Sequence, residues 1–133
     1  IRQERQQENA IQLAKWLKKN PLVKDVYYPG LSDHPGYDIQ VKQARGFGSM
    51  ISFRVVDKEV AKRVLTHVKV ITYAESLGGV ESLITYPMVQ THSDVDEKTR
   101  NELGITDDFL RLSVGIENIK DLIQDLSEAF KNE

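Results

Sequence analysis

The sequence contains no cysteine, and that absence closes several routes at once. No disulfide can staple the chain, no thiolate can bind a metal, and no cysteine can act as a nucleophile. Long hydrophobic runs are missing too: the apolar stretches extend over only a few residues, too short to span a bilayer. Neither sign of charge dominates. Eighteen Lys and Arg stand against 20 Asp and Glu, a formal net charge of −2 with both signs interspersed. No basic stripe argues for nucleic acid, and no block of like charge argues for a disordered tail. What is present is ordinary for a soluble globular domain: 133 residues, 40% hydrophobic and 29% charged, enough for one core. The composition is compatible with a cytoplasmic location. The chain starts at Ile1, and the charged stretch that follows is no signal peptide. Either processing or excision from something longer accounts for that start, and the second is the favoured reading.

Hydrophobic spacing supplies the elements. Ala10, Leu13, Ala14 and Leu17 recur at helical intervals, and Asn20-Pro21 stops the run. The first ten residues are almost wholly polar, so this helix is expected to project before it meets the core. Val23 to Tyr28 reads as a strand, and Tyr28 to Gly36 as a turn-rich loop. A short helix is expected over 38–44. Ile51, Phe53 and Val55 alternate with Ser52 and Arg54 as a half-buried strand. Asp57 is placed to cap a helix whose apolar face is Val60, Ala61, Val64 and Leu65. Short strands are expected over 68–72 and 83–85, and a helix from Ser93 to Gly104. Phe109 to Val114 reads as a strand with Leu110, Leu112 and Val114 on one face. Ile119, Leu122, Ile123, Leu126 and Phe130 mark a final amphipathic helix. The alternation predicts an α/β (α+β) two-layer sandwich, with a mostly antiparallel sheet and helices on one face.

Residues that carry chemistry are few. His34, His67 and His92 lie in separate segments without metal-ligand spacing, so no metal site is expected. His67 closes a helix, where a histidine commonly faces the carboxyl-end dipole. Gly46-Phe47-Gly48 precedes a strand instead of following one, which fits a tight approach to Ile51 and not a dinucleotide loop. Ser76 and Ser82 have no neighbouring His–Asp arrangement to activate them. Arg111 lies between Leu110 and Leu112 and so points off the leucine face with Ser113. Two readings stay open for it: a solvated arginine on an open sheet face, or a guanidinium aimed into a cleft to hold a carboxylate.

Two longer stretches add to this reading. Glu75-Ser76-Leu77-Gly78-Gly79-Val80-Glu81-Ser82-Leu83 and Arg111-Leu112-Ser113-Val114-Gly115-Ile116-Glu117, the second followed by Asp121-Leu122-Ile123, resemble signature segments near the carboxyl end of the Cys/Met-metabolism family of pyridoxal-phosphate enzymes. That family includes cystathionine gamma-synthase, cystathionine gamma-lyase, cystathionine beta-lyase and the homoserine-ester sulfhydrylases. Asn9-Ala10, Pro21, Tyr28-Pro29-Gly30-Leu31, His34-Pro35, Gly46-Phe47-Gly48 and Thr91-His92 fall in the family's order, so the likeness covers nearly the whole chain.

The resemblance implies the small carboxy-terminal domain of a fold-type I enzyme, with residues 1–20 as an interdomain helix and 21–133 as the substrate-side domain. It implies that Arg111 binds the substrate α-carboxylate, that Ser76 and Leu77 lie beside cofactor and substrate, and that Glu75 meets the distal part of the substrate. It further implies pyridoxal phosphate, carried by a lysine of an amino-terminal domain that this sequence lacks, so no catalytic residue is assigned here and the chain alone is expected to be inactive. The parent is expected to be a homotetramer acting on an amino acid such as cystathionine, as a lyase or a transferase-type synthase, in transsulfuration and methionine or cysteine metabolism. Neither a nucleic-acid nor a membrane partner is expected. The competing reading is a stand-alone module that binds a carboxylate or mediates oligomerisation without catalysis.

Overall fold

The computed structural model describes residues 1–31, 37, 48–73, 80–87 and 106–131. The first helix, α1 (Arg2–Lys19), follows the apolar repeat: Ala10, Leu13, Ala14 and Leu17 are all completely buried. It stops where Asn20 turns extended (φ −79°, ψ 124°), the conformation that a following proline imposes. The Asn20 side chain then accepts the Leu22 N–H at 2.9 Å and steers the chain toward the sheet.

The polar start of this helix does not stand clear of the domain as the sequence suggested. Gln6 and Asn9 are as buried as the leucines. Gln6 Nε2 donates to the Val114 carbonyl at 3.1 Å, and Asn9 Nδ2 donates to the carbonyls of Gly115 (3.0 Å) and Glu117 (2.8 Å). Buried backbone acceptors need donors, and here two amides one turn apart supply them. Hydrophobic periodicity counts such residues as exposed and cannot reveal this.

Five strands form one sheet: β1 (Val23–Tyr27), β2 (Met50–Val55), β3 (Thr72–Tyr73), β4 (Leu83–Thr85) and β5 (Phe109–Ser113), in the order β1-β2-β5-β4-β3. The β1–β2, β2–β5 and β4–β5 pairings are antiparallel and β3–β4 is parallel. Gly48, just before β2, holds a positive φ of 78°, a value glycine adopts without strain, in keeping with its reading as a tight approach to that strand.

Side-chain alternation sorts the two faces of the sheet. Ile51 and Phe53 of β2 lie opposite Leu112 and Leu110 of β5, and Ile84 of β4 flanks Leu112 from the other side. Onto this face pack α1, α2 (Lys58–His67) and α3 (Ile119–Lys131), and their apolar residues share one core with it. Asp57 caps α2 as predicted, accepting the Val60 N–H at 3.0 Å. The result is a two-layer α/β sandwich with a mostly antiparallel sheet and helices on one face.

The strand expected over 68–72 is displaced: β3 begins only at Thr72. The N–H groups of Lys69, Val70 and Ile71 all donate to the Asp125 carboxylate of α3, at 2.8, 3.1 and 2.9 Å. That stretch wraps a side chain before the Thr72 N–H reaches the Ser82 carbonyl at 3.0 Å. The helices expected over 38–44 and from Ser93 to Gly104 lie outside the described residues, as do His34, Gly46, Phe47 and His92. Among the described residues no helix is long and apolar enough to cross a membrane, and no cluster of side chains could hold a metal ion.

Candidate functional site

The face of the sheet away from the helices carries Arg111. Its neighbours Leu110 and Leu112 are fully buried in the core, so strand alternation sends the arginine the other way. Ser52 of β2 and Thr85 of β4 stand opposite it in register, one on each side. Thr85 and Ser113 are each only 2% exposed, so the root of the side chain is screened from water. The Arg111 Nε atom is itself buried and has no hydrogen-bond partner. A guanidinium has donors only, and a buried donor left unmatched costs roughly 1–3 kcal/mol, more when charged. The described residues therefore leave this one donor of the guanidinium unmatched. Guanidinium groups in general pair best with planar, two-pronged anions such as carboxylates.

Arg54, on the same face, makes the contrast. It lies opposite Phe109 in the β2–β5 register, and its guanidinium sits 5.2 Å from the centre of that ring. Arg54 Nη1 meets Asp108 Oδ1 at 3.1 Å and also bonds Thr106, while Lys24 Nζ meets Asp108 Oδ2 at 2.6 Å. Burial pushes the Asp108 carboxyl up, but hydrogen bonds from Lys24 and Thr106 and the charges of Lys24 and Arg54 outweigh it and hold the group below its usual value. This arginine is occupied within the domain.

One end of the face is tied by a polar knot. Ser82, fully buried, donates its N–H to Glu117 Oε2 at 2.7 Å and its hydroxyl to Glu117 Oε1 at 2.8 Å. The same Ser82 Oγ accepts the Gly115 N–H at 2.8 Å. A Cβ on Gly115 would lie 2.2 Å from the Val80 carbonyl oxygen, so only glycine allows these backbones to approach so closely.

Of the residues singled out from sequence, Arg111 faces as the alternation required. Glu75, Ser76 and Leu77 lie outside the described residues, in the stretch joining β3 to β4. His67 stays on its own helix end, with Nδ1 2.8 Å from the Arg63 carbonyl, and Ser82 is consumed by the knot. The knot itself was not legible: Glu117 follows a strand in a loop, where no periodicity marks a carboxylate as structural. Every described lysine is exposed.

The chain matches the family model for Cys/Met metabolism PLP-dependent enzymes over residues 1–131. It is 55% identical over 130 residues to a cystathionine beta-lyase of Coxiella burnetii, spanning 97% of this chain and 34% of that protein. Among solved structures, it resembles a cystathionine gamma-lyase from Lactobacillus plantarum complexed with L-serine, with a TM-score of 0.92 at 41% identity, over 97% of this chain and 34% of that one. A cystathionine gamma synthase from Xanthomonas oryzae pv. oryzae, in complex with aminoacrylate and cysteine, gives the same TM-score, identity and coverage. The chain thus spans about a third of the length of the relatives it matches. On these matches, and with the same fold, the chain belongs to the Cys/Met-metabolism family of PLP-dependent enzymes.

Proposed function

We propose that this chain is the carboxy-terminal, substrate-side domain of an enzyme that makes or cleaves the carbon–sulfur bond of cystathionine, and that Arg111 binds the substrate α-carboxylate. The observation that carries the reading is the buried Arg111 Nε without a partner, on a sheet face whose other described arginine is already neutralised. The cofactor of the family supplies an electron sink when bound. The part of Arg111 is positioning. Two parallel hydrogen bonds to the carboxylate fix rotation about the α-carbon, so the bond to be broken is held in one orientation. A lone point charge would not do this. Glu75, Ser76 and Leu77 complete the proposed substrate edge.

Relatives of both lyase and synthase type match this chain equally well in fold, so the direction of the reaction is left to experiment, with a sulfhydrylase the less favoured sibling. The test uses the full-length enzyme, assayed on cystathionine and on an activated homoserine ester with cysteine. Arg111→Ala removes the partner of a buried substrate charge, which typically costs about 2–5 kcal/mol. That corresponds to a fall in kcat/KM on the order of 30- to several-thousand-fold. Arg111→Lys should recover only part of it. Cofactor absorbance and the thermal midpoint should stay close to wild type. Full activity in Arg111→Ala would make the arginine a solvated sheet residue, and early melting with loss of cofactor would make it structural.

A further inference from the structure

Four side chains stand in one row across the outer face of the sheet. Tyr27 of β1, Ser52 of β2, Arg111 of β5 and Thr85 of β4 are partners in register, strand to strand. Residues opposed in this way hold their Cβ atoms about 4.5–5.5 Å apart, so Ser52 and Thr85 flank the stem of Arg111 closely. That stem ends in Nε, the guanidinium nitrogen that is buried without a hydrogen-bond partner.

Burial of that atom decides where an acceptor can come from. Nε is closed to solvent, so neither water nor an arriving substrate reaches it unless protein atoms move first. The two outer nitrogens form the edge that a carboxylate can grip. The inner N–H needs an acceptor from the protein itself. Around it, the Tyr27 hydroxyl already receives the Arg54 Nε–H at 3.3 Å, and Thr85 and Ser113 are engaged elsewhere. The carbonyls of β5 and its neighbours belong to the ladder. Ser52 is left: half-buried, in register with Arg111, and carrying a hydroxyl with two acceptor lone pairs. Its χ1 has three staggered wells, so Oγ can turn toward either neighbouring strand.

We propose that Ser52 is a positioning residue for Arg111: its hydroxyl accepts the Nε–H and fixes the plane of the guanidinium, so that both outer prongs face the substrate carboxylate together. This role rests on the reading of Arg111 as the carboxylate site. A planar fork grips a carboxylate with two bonds only when its plane is set. Rotation of that plane about the Cδ–Nε bond is what a hydrogen bond at Nε restrains.

The test is made in the full-length holoenzyme with cystathionine as substrate. Ser52→Ala removes the acceptor and should lower kcat/KM about 10-fold, mainly through KM, as loss of one hydrogen bond to a charged group does. Cofactor absorbance and the thermal midpoint should stay at their wild-type values. Ser52→Thr keeps a hydroxyl and should remain within about 3-fold of wild type, whereas Ser52→Val, of similar shape without it, should match Ser52→Ala. This pair carries the test if Ser52→Ala does not fold. Lysine places a methylene where arginine has Nε, so Ser52→Ala should add less than about twofold to the loss in Arg111→Lys. A Ser52→Ala enzyme within about twofold of wild type overturns the inference. Equal losses in Ser52→Thr and Ser52→Val also overturn it, since they mark packing and not the hydroxyl, as do single losses that simply multiply in the Ser52→Ala/Arg111→Lys double variant. If Arg111→Lys leaves kcat/KM unchanged, the carboxylate reading fails and this inference with it. If Arg111→Lys is impaired and Ser52→Ala is not, only the role of Ser52 falls.

Discussion

Tyr28 and Tyr86 each send a hydroxyl to one backbone carbonyl, Gly48 at 2.8 Å and Asp107 at 2.6 Å. Burial pushes both phenols from 10.0 up to about 12. The folded state therefore keeps its protons in a range where the unfolded chain begins to lose them. The stability contributed is fully present below pH 10 and is lost as pH rises toward 12. Denaturant midpoints between pH 9 and 12 should fall across that window, and Tyr28→Phe should flatten the slope while lowering stability at pH 8. A pH-independent midpoint would show that the phenols titrate normally. At this scale the sequence was informative for Arg111, because Leu110 and Leu112 dictate which way it points. It was silent on Glu117 and Asn9, since a polar side chain paired to backbone looks the same in sequence as one facing water.

The elements repeat that division. Those with a full apolar stripe, α2 and α3, run where the spacing put them, and Asp57 caps α2 with the bond expected of it. A strand is expected over 68–72, where Val68, Val70 and Ile71 suit one. Asp125 overrides that preference by taking three successive N–H groups, since a charged acceptor outcompetes a ladder not yet begun. Asp125→Ala should leave those donors without a partner, with Ile71 buried, and destabilise the domain by about 3 kcal/mol. Urea titration should show a lowered midpoint with an unchanged slope. A change below about 0.5 kcal/mol would mean that water replaces the carboxylate at no cost.

For the whole molecule, the division into a sheet layer and a helix layer was legible because hydrophobic alternation switches cleanly between a period of two and helical spacing. How the polar end of α1 packs was not, because it is decided by hydrogen bonds between residues more than a hundred positions apart. The chain covers about a third of its relatives' length, and its described lysines are all exposed. The 133-residue chain alone should therefore show no cofactor absorbance in the visible range after incubation with pyridoxal phosphate and repurification, and no turnover of cystathionine. A stoichiometric, reducible adduct retained at one lysine would contradict this.

The amides of Gln6 and Asn9 change what kind of joint α1 makes. Apolar packing is non-directional, and a helix seated on it alone can creep along its axis or roll by small steps. Two amides inserted under the carbonyls of residues 114, 115 and 117 act as a key in a slot: a residue inserted between Asn9 and Ala10 would turn them by about 100° and withdraw both at once. The start of α1 is thus tied by directional bonds to the turn that follows β5.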